Sequence, residues 1–373
     1  MPSTCVADGS ALLRYSDEMA LAFLDLPIVL APMGGAADVA LIAAVSNAGA
    51  FGILPCAYLT PQQIDAQIQE LRRATDRPLG VNLFVERQPY EPDISKTLHA
   101  HERLRSYREE LGIPHPAQPA APPEQYAAQI EAVLNAKPTV FTFTFGIPEP
   151  EIMQRFRRAG IFTMGTATTV PEARALANAG VDGIFAQGSE AGAHRGTFLA
   201  PVNESLVGTL ALVPQIVDAT KLPVFAAGGI GDGRGVAAVL ALGATAAAIG
   251  TSFLLARESP ISKAYRDALR SERSSHTILT RAFSGRTARG VPNRITAEVR
   301  DPEDIAPYPF QNAMTRDIRN AAGAQGRSEF LSLWAGQAAA LAQELPAADI
   351  VANIMQEARK ALHGAAGHLP SAF

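Results

Sequence analysis

PVFAAGGIGDGRGVAAVLALGATAAAIGTSFL, residues 223–254, is the stretch whose reading decides the fold. PVFAAGG (223–229) is a short apolar run ending in two glycines. DGRGVAAVLALG (232–243) continues with helical spacing, and TAAAIGTSFL (245–254) is a second apolar run that meets glycine at Gly250. The runs are continuously apolar rather than alternating, which marks strands buried on both faces, as in parallel sheets covered by helices. The unit is therefore strand, glycine turn, helix, strand.

Working outward, the same unit recurs. Upstream lie VDGIFAQG (181–188) after the helix VPEARALANAG (170–180), IFTMGTA (161–167) after PEPEIMQRFRRAG (148–160), and TVFTFTFG (139–146) after a helix near 123–136. At the start stand PIVLAPM (27–33), the helix ADVALIAAVSNAG (37–49), FGILP (51–55), the helix TPQQIDAQIQELRRATD (60–76) and PLGVNLFV (78–85). Thr60 is suited to cap its helix, Pro61 to its first turn, and Gly49 to a helix C-terminus. A helix near 204–219 completes the series. Eight strand–helix alternations predict an α/β fold, a closed TIM (β/α)8 barrel, over residues 25–259. The rhythm lapses at 86–122, which carries PHPAQPAAPP (114–123) and is too long for a plain barrel loop; it reads as an insertion over the barrel mouth. Residues 260–373 read as a mostly helical C-terminal segment that packs with the insertion as a lid.

The chain has 373 residues, 47% hydrophobic and 18% charged, with a net charge of -4 of mixed sign. That balance offers no electrostatic grip on nucleic acid or an acidic membrane. Cys5 and Cys56 share no metal or redox spacing and read as reduced thiols. There is no secretory signal pattern and no apolar run of roughly 20 residues, so the expectation is a cytoplasmic protein.

The chemistry concentrates at strand ends. Gly228 and Gly229 end the seventh predicted strand, and Gly250 and Thr251 the eighth. Barrels often bind phosphate there through exposed backbone N–H groups and a helix N-terminus. Glycine lets the oxyanion approach the backbone, and the Thr251 hydroxyl adds a donor. After the sixth strand comes AQGSEAGAHRGTF (186–198). Gln187 is placed to bond a flavin ring edge, and Gly188 and Gly192 allow close approach. His194 sits in a polar, glycine-rich loop where an imidazole can act as a general base. Pro32 and Met33 in APMGG (31–35) can lie against a flat ring. Asn82 in an apolar strand needs a hydrogen-bond partner, either a cofactor or a neighbouring strand. His99 and His101 lack metal spacing and read as surface residues, and His115, His276, His363 and His368 have no more support. No dinucleotide fingerprint follows an early strand, and no nucleophile elbow is present.

Taken together and in this order, APMGG, GVNLF, GSEAGAHRGTF, AAGGIGDGRG and AIGTSFL resemble the class I nitronate monooxygenases, once called 2-nitropropane dioxygenases. RAFSGRTARG (281–290), PYPFQNA (307–313) and SLWAGQ (332–337) resemble that family too. The resemblance covers roughly residues 25 to 355. It implies an FMN-dependent barrel enzyme that oxidises alkyl nitronates, such as propionate 3-nitronate, and nitroalkanes with O2. It implies FMN contacts from Asn82, Gln187, Gly192, Gly229, Gly250 and Thr251, with His194 as catalytic base. Ala193 departs from the family, which usually has glycine before this histidine; its methyl group would narrow the pocket. The expected partners are a small nitronate or nitroalkane and O2, with room for a homo-oligomer and none for nucleic acid, membrane or metal. The same motifs also resemble FMN-dependent enoyl-acyl-carrier-protein reductases, which use NAD(P)H, and a non-catalytic flavin-binding protein is a third reading.

Overall fold

The structure is a computed structural model that describes residues 21–86, 90–91 and 93–367; Cys5 and His368 lie outside them. The chain runs β1 (Ile28–Leu30), α1 (Val39–Asn47), β2 (Phe51–Pro55), α2 (Pro61–Ala74), β3 (Leu79–Phe84), α3 (Ile94–Arg103), α4 (Arg105–Glu110), α5 (Tyr126–Ala136) and β4 (Val140–Thr144). It continues through α6 (Pro150–Arg158), β5 (Phe162–Ala167), α7 (Val170–Asn178), β6 (Gly183–Gln187), β7 (Ala193–His194), α8 (Thr209–Thr220), β8 (Val224–Ala227), α9 (Gly233–Ala241) and β9 (Ala246–Ile249). Beyond these lie α10 (Lys263–Arg270), β10 (Ile278–Thr280), β11 (Ala288–Gly290), α11 (Arg294–Glu298), α12 (Phe310–Met314), α13 (Arg316–Gln325) and α14 (Ala347–Ala366).

The predicted barrel is present. Strands β1-β2-β3-β4-β5-β6-β8-β9 form a closed parallel sheet, and β9 returns to β1 through Ile28↔Ala247, Val29↔Ala248 and Leu30↔Ile249. Side chains alternate across each strand, and here both faces are apolar for different reasons. Val29, Phe51, Ile53, Val140, Phe185 and Phe225 cluster inside the barrel, while Ile28, Leu30, Leu54, Val81 and Phe141 pack under the helices. Toward the C-terminal ends the inward rows turn polar: Asn82 donates to Thr142 Oγ1 at 2.9 Å, and the hydroxyls of Thr144 and Thr166 lie 3.2 Å apart. The mouth is thereby set apart from the packed base. The cap at Thr60 forms as the residues suggest, with Gln63 N–H donating to Thr60 Oγ1 and Thr60 N–H to Gln63 Oε1.

Three features differ from expectation. The stretch 86–122 holds α3 and α4, helices that its prolines obscured. The last helix, α14, does not join the lid. It packs against α9 and α1, and Ile350, Val351 and Ile354 enter the main barrel core. The barrel needs a helix to cover the face between β9 and β1, and the chain supplies it only after a long excursion. Finally, His101 and His115 are not surface residues: their rings stack at 4.2 Å, and His101 Nε2 lies 2.9 Å from Pro116 O.

The excursion forms a second apolar cluster. Leu104 and Tyr107 of the insertion pack with Phe283, Ile295, Met314 and Phe330 from beyond the barrel. Arg108, 1% exposed, ties the two parts, donating to Asp317 Oδ2 at 2.8 Å and to Met314 O at 2.6 Å. No helix among the described residues is long and apolar enough to cross a membrane, and no group of three or more potential metal-ligating side chains forms among them.

Candidate active site

The loop after β6 is the centre of the mouth. It is held by a small antiparallel sheet, in the order β10-β11-β7, that the sequence reading did not foresee. Ala288 pairs with His194 and Arg289 with Ala193, so the segment RAFSGRTARG lies along the histidine as a neighbouring strand. SLWAGQ locks the other side. Gly290 bridges Trp334, Ala335 N–H donates to Arg289 O at 3.3 Å, and Gln337 N–H donates to Glu190 O at 2.9 Å.

His194 sits in an aromatic enclosure. Ring centroids of Phe145, Trp334, Phe84 and Tyr308 lie 5.7, 5.8, 6.0 and 6.2 Å from its own. Its Nε2 is 2.8 Å from Ser284 Oγ, a residue only 1% exposed. Ser284 Oγ in turn donates to Arg286 O at 2.9 Å. With that hydroxyl proton spent on a carbonyl, Nε2 carries the imidazole proton and Nδ1 is the basic nitrogen. Burial first, then the Arg286 and Arg319 guanidiniums, pulls the His194 pKa down from 6.5 to about 3. The ring is a neutral base throughout the physiological range.

Two backbone conformations support this enclosure. Phe145 has φ 79° and Ala193 φ 59°, both in the left-handed region that costs a non-glycine residue about 1–2 kcal/mol. The Phe145 conformation sets its ring beneath the Arg286 guanidinium, 3.8 Å from carbon to centroid. Arg286 also donates through Nη2 to Thr197 O. Burial pulls its pKa down to about 10. Arg319 is held by Asn312, donating to its O at 2.9 Å and its Oδ1 at 3.0 Å.

The structure brings most of the anticipated residues to one mouth, though several do other work. Gln187 spends its amide on the loop: Nε2 donates to His194 O at 3.0 Å, while Oε1 accepts from Gly196 N–H at 2.8 Å and from Arg195 at 3.1 Å. Only one of its N–H groups remains for a ligand. Asn82 finds the neighbouring-strand partner, Thr142. Arg195, unremarked in the sequence, is 3% exposed and staples the loop to the barrel by donating to Gln187 O, Gly188 O and Ser205 O. Met33 lies against Gly250, where an added Cβ would come 3.2 Å from its sulfur, and Pro32 precedes it at the end of β1.

The glycines form the second half of the site. Gly228 and Gly229 take φ 106° and 71° and fold back over Glu190 and the β6 loop. Gly192 is glycine for a different reason: a Cβ there would lie 2.6 Å from Gly336 N and 2.7 Å from Ala335 C. At Gly336 a Cβ would meet Glu190 O at 2.8 Å and Thr251 Oγ1 at 3.4 Å, and its N–H already donates to Thr251 Oγ1 at 3.0 Å. Gly192, Gly229 and Gly250 donate their N–H groups to no protein acceptor among the described residues. Unspent backbone donors on three glycines fit a phosphate, with the Glu190 side chain beside Gly229 and the Met33 sulfur beside Gly250. The N-terminus of α9 does not join them, because Asp232 caps it and Glu357 accepts from Gly233 N–H at 3.0 Å; two carboxylates there would repel an anion.

Comparison with known proteins agrees with this geometry. The family model described as nitronate monooxygenase matches residues 17–357. A protein of Staphylococcus aureus (strain Newman) named "Probable nitronate monooxygenase" is 42% identical over 337 residues, covering 90% of this chain and 94% of that protein. The solved nitroalkane oxidase of Streptomyces ansochromogenes superposes with a TM-score of 0.85 at 39% identity, covering 92% of this chain and 99% of that one. FabK from Thermotoga maritima is more distant, with a TM-score of 0.73 at 27% identity over 95% of this chain and 99% of that one. The chain belongs to the nitronate monooxygenase family and is a flavin-dependent oxidoreductase enzyme.

Proposed function

We propose that this chain is an FMN-dependent monooxygenase that oxidises alkyl nitronates, and nitroalkanes after their deprotonation, with O2. The observation that carries the reading is the setting of His194: a neutral imidazole with Nε2 engaged by Ser284 Oγ at 2.8 Å, caged by four aromatic rings beside the glycine cradle. One phosphate cradle, with no second one among the described residues, supports FMN rather than a dinucleotide flavin. Gly229, Gly250, Gly192 and the Thr251 hydroxyl would hold the phosphate, with Pro32, Met33, Asn82, Gln187 and Gly228 alongside. When bound, the flavin ring supplies the redox chemistry.

The protein's own residues supply position and proton transfer. His194 Nδ1 takes the α-proton of a neutral nitroalkane, and Ser284 keeps the imidazole in the tautomer that allows it. A substrate that arrives as a nitronate has already lost that proton and needs only to be held. The described residues of the insertion (90–91 and 93–122) and residues 260–345 would form the lid that keeps water from the mouth.

The test is oxygen uptake by the purified protein with propionate 3-nitronate, with and without NADH. Uptake independent of NADH is expected. No nitronate turnover, with NADH-dependent reduction of an enoyl thioester, would assign the chain to the reductases instead.

A further inference from the structure

The segment RAFSGRTARG delivers more than Ser284. Of the Arg286 donors, only Nη2 is spent, on Thr197 O. Its Nε is buried without a hydrogen-bond partner, and no carboxylate lies within ion-pair distance of this guanidinium among the described residues. The group stands over the ring of Phe145, whose neighbours include the His194 ring at 5.7 Å. Arg319, fixed by Asn312, adds a second cation without an ion-pair partner whose charge acts on His194, and its own pKa is pulled down to about 10 by burial. Taking a guanidinium out of water with only the Glu172 carboxylate, beyond ion-pair distance, as counter-charge is costly, and an anionic ligand would offset that cost.

We propose that Arg286 is the anchor for the two nitro oxygens of the substrate, binding it as the nitronate anion. The inference rests on the proposed function and names the group that recognises its substrate class. A planar guanidinium offers paired N–H donors at the spacing of two geminal oxygens, as it does for a carboxylate. The stack on Phe145 holds the plane, and Ser284, which receives the His194 hydrogen bond, is joined to the Arg286 backbone by bonds of 2.9 and 3.3 Å. Base and anchor are therefore set by the same short turn. With a neutral nitroalkane, charge moves from the C–H bond to the nitro oxygens as Nδ1 accepts the proton. Arg286 meets that charge where it develops, and the proton ends on His194.

The experiment uses the flavin-loaded enzyme and its R286M and R286K variants. KM for ethyl nitronate, kcat/KM for nitroethane and the inhibition constant of nitrite, a small anion with the same O–N–O edge, are measured for each. R286M is expected to raise the nitronate KM and the nitrite constant about tenfold or more, and to lower kcat/KM on nitroethane about 100-fold. R286K, keeping charge but not the fork, should recover part of the nitrite binding. Nitrite should compete with ethyl nitronate in the parent. Nitronate KM and nitrite binding within about twofold of the parent in R286M, with flavin content retained, would overturn the proposal. If R286M does not fold, the absence of nitrite competition in the parent, or R286K binding nitrite no more weakly than the parent, would overturn it equally. A parent that turns over no nitronate refutes the function itself, while nitrite perturbation of its flavin spectrum, lost in R286M, would still report on Arg286.

Discussion

His194 Nε2 lies 2.8 Å from Ser284 Oγ, across 90 residues of sequence. The two are brought together because Ala288 of β11 pairs with His194 of β7, which sets the turn before β11 over the imidazole. Ser284 Oγ donates onward to Arg286 O, so the serine receives the Nε2 proton and leaves Nδ1 free.

Ser284→Ala should therefore weaken proton abstraction without touching the substrate. A lost neutral hydrogen bond is worth about 0.5–1.5 kcal/mol, which corresponds to a roughly three- to tenfold loss of kcat/KM on nitroethane. Turnover of ethyl nitronate should fall less, through the lost bonds from Ser284 to the Arg286 backbone alone. Steady-state oxygen uptake on both substrates checks this; an equal loss on both would place Ser284 in substrate binding.

The depressed His194 pKa has a pH signature. Because the group stays neutral down to about pH 3, kcat/KM for nitroethane should show no acid limb centred near pH 6.5. The sign for stability is the reverse of a salt-bridged histidine. The unfolded chain takes up the proton near its ordinary pKa of 6.5 while the native state does not until about 3. Native stability contributed by this site is full above pH 6.5 and falls as pH drops through that window. Urea midpoints for the parent and His194→Asn, measured from pH 7 to 4, should converge as pH falls. Midpoints that stay parallel would contradict the shift.

Ala193 carries a φ of 59°, and left-handed strain is a direct consequence of having alanine at this position. Ala193→Gly should relieve about 1–2 kcal/mol of left-handed strain against a glycine entropy cost of about 0.5–1 kcal/mol. The net gain of up to about 1.5 kcal/mol should appear as a higher urea midpoint. Ala193→Val should lower it, since a β-branched residue tolerates this conformation worse. A lower midpoint for glycine would show that the strain is not stored there.

Gly229→Val should weaken FMN binding. The position has φ 71°, which strains any side chain, and the valine methyls beyond the Cβ would crowd an unspent N–H. Titration of FMN into the cofactor-free protein measures it. An affinity within about twofold of the parent, ~0.4 kcal/mol, would remove this glycine from the phosphate site.

The barrel was legible because its signals are local. Continuous apolar strands and the Thr60 cap act within a few residues, and so do the glycines that end β8 and β9. The histidine loop was legible for the same reason. The partners of that loop were not. Ser284, Arg286 and Trp334 reach His194 only through the pairing of β7 with β11, a contact of two residues with three that carries no periodic pattern. Gln187 and Asn82 were rightly placed at the mouth, but residue type does not say whether an amide faces a ligand or its own loop. The last helix was misplaced because amphipathic spacing shows that a face is buried and not what it is buried against.

In the proposed reaction His194 takes a proton from carbon, and comparing two substrates isolates that step. His194→Asn keeps much of the size and hydrogen-bonding capacity of the ring and removes the base. With flavin content verified, rates are measured on neutral nitroethane and on preformed ethyl nitronate. Losing a general base costs about 10² to 10⁴ in rate. A loss of that size is expected on nitroethane, with most activity retained on ethyl nitronate. Equal losses on the two substrates, or no loss on either, would contradict it.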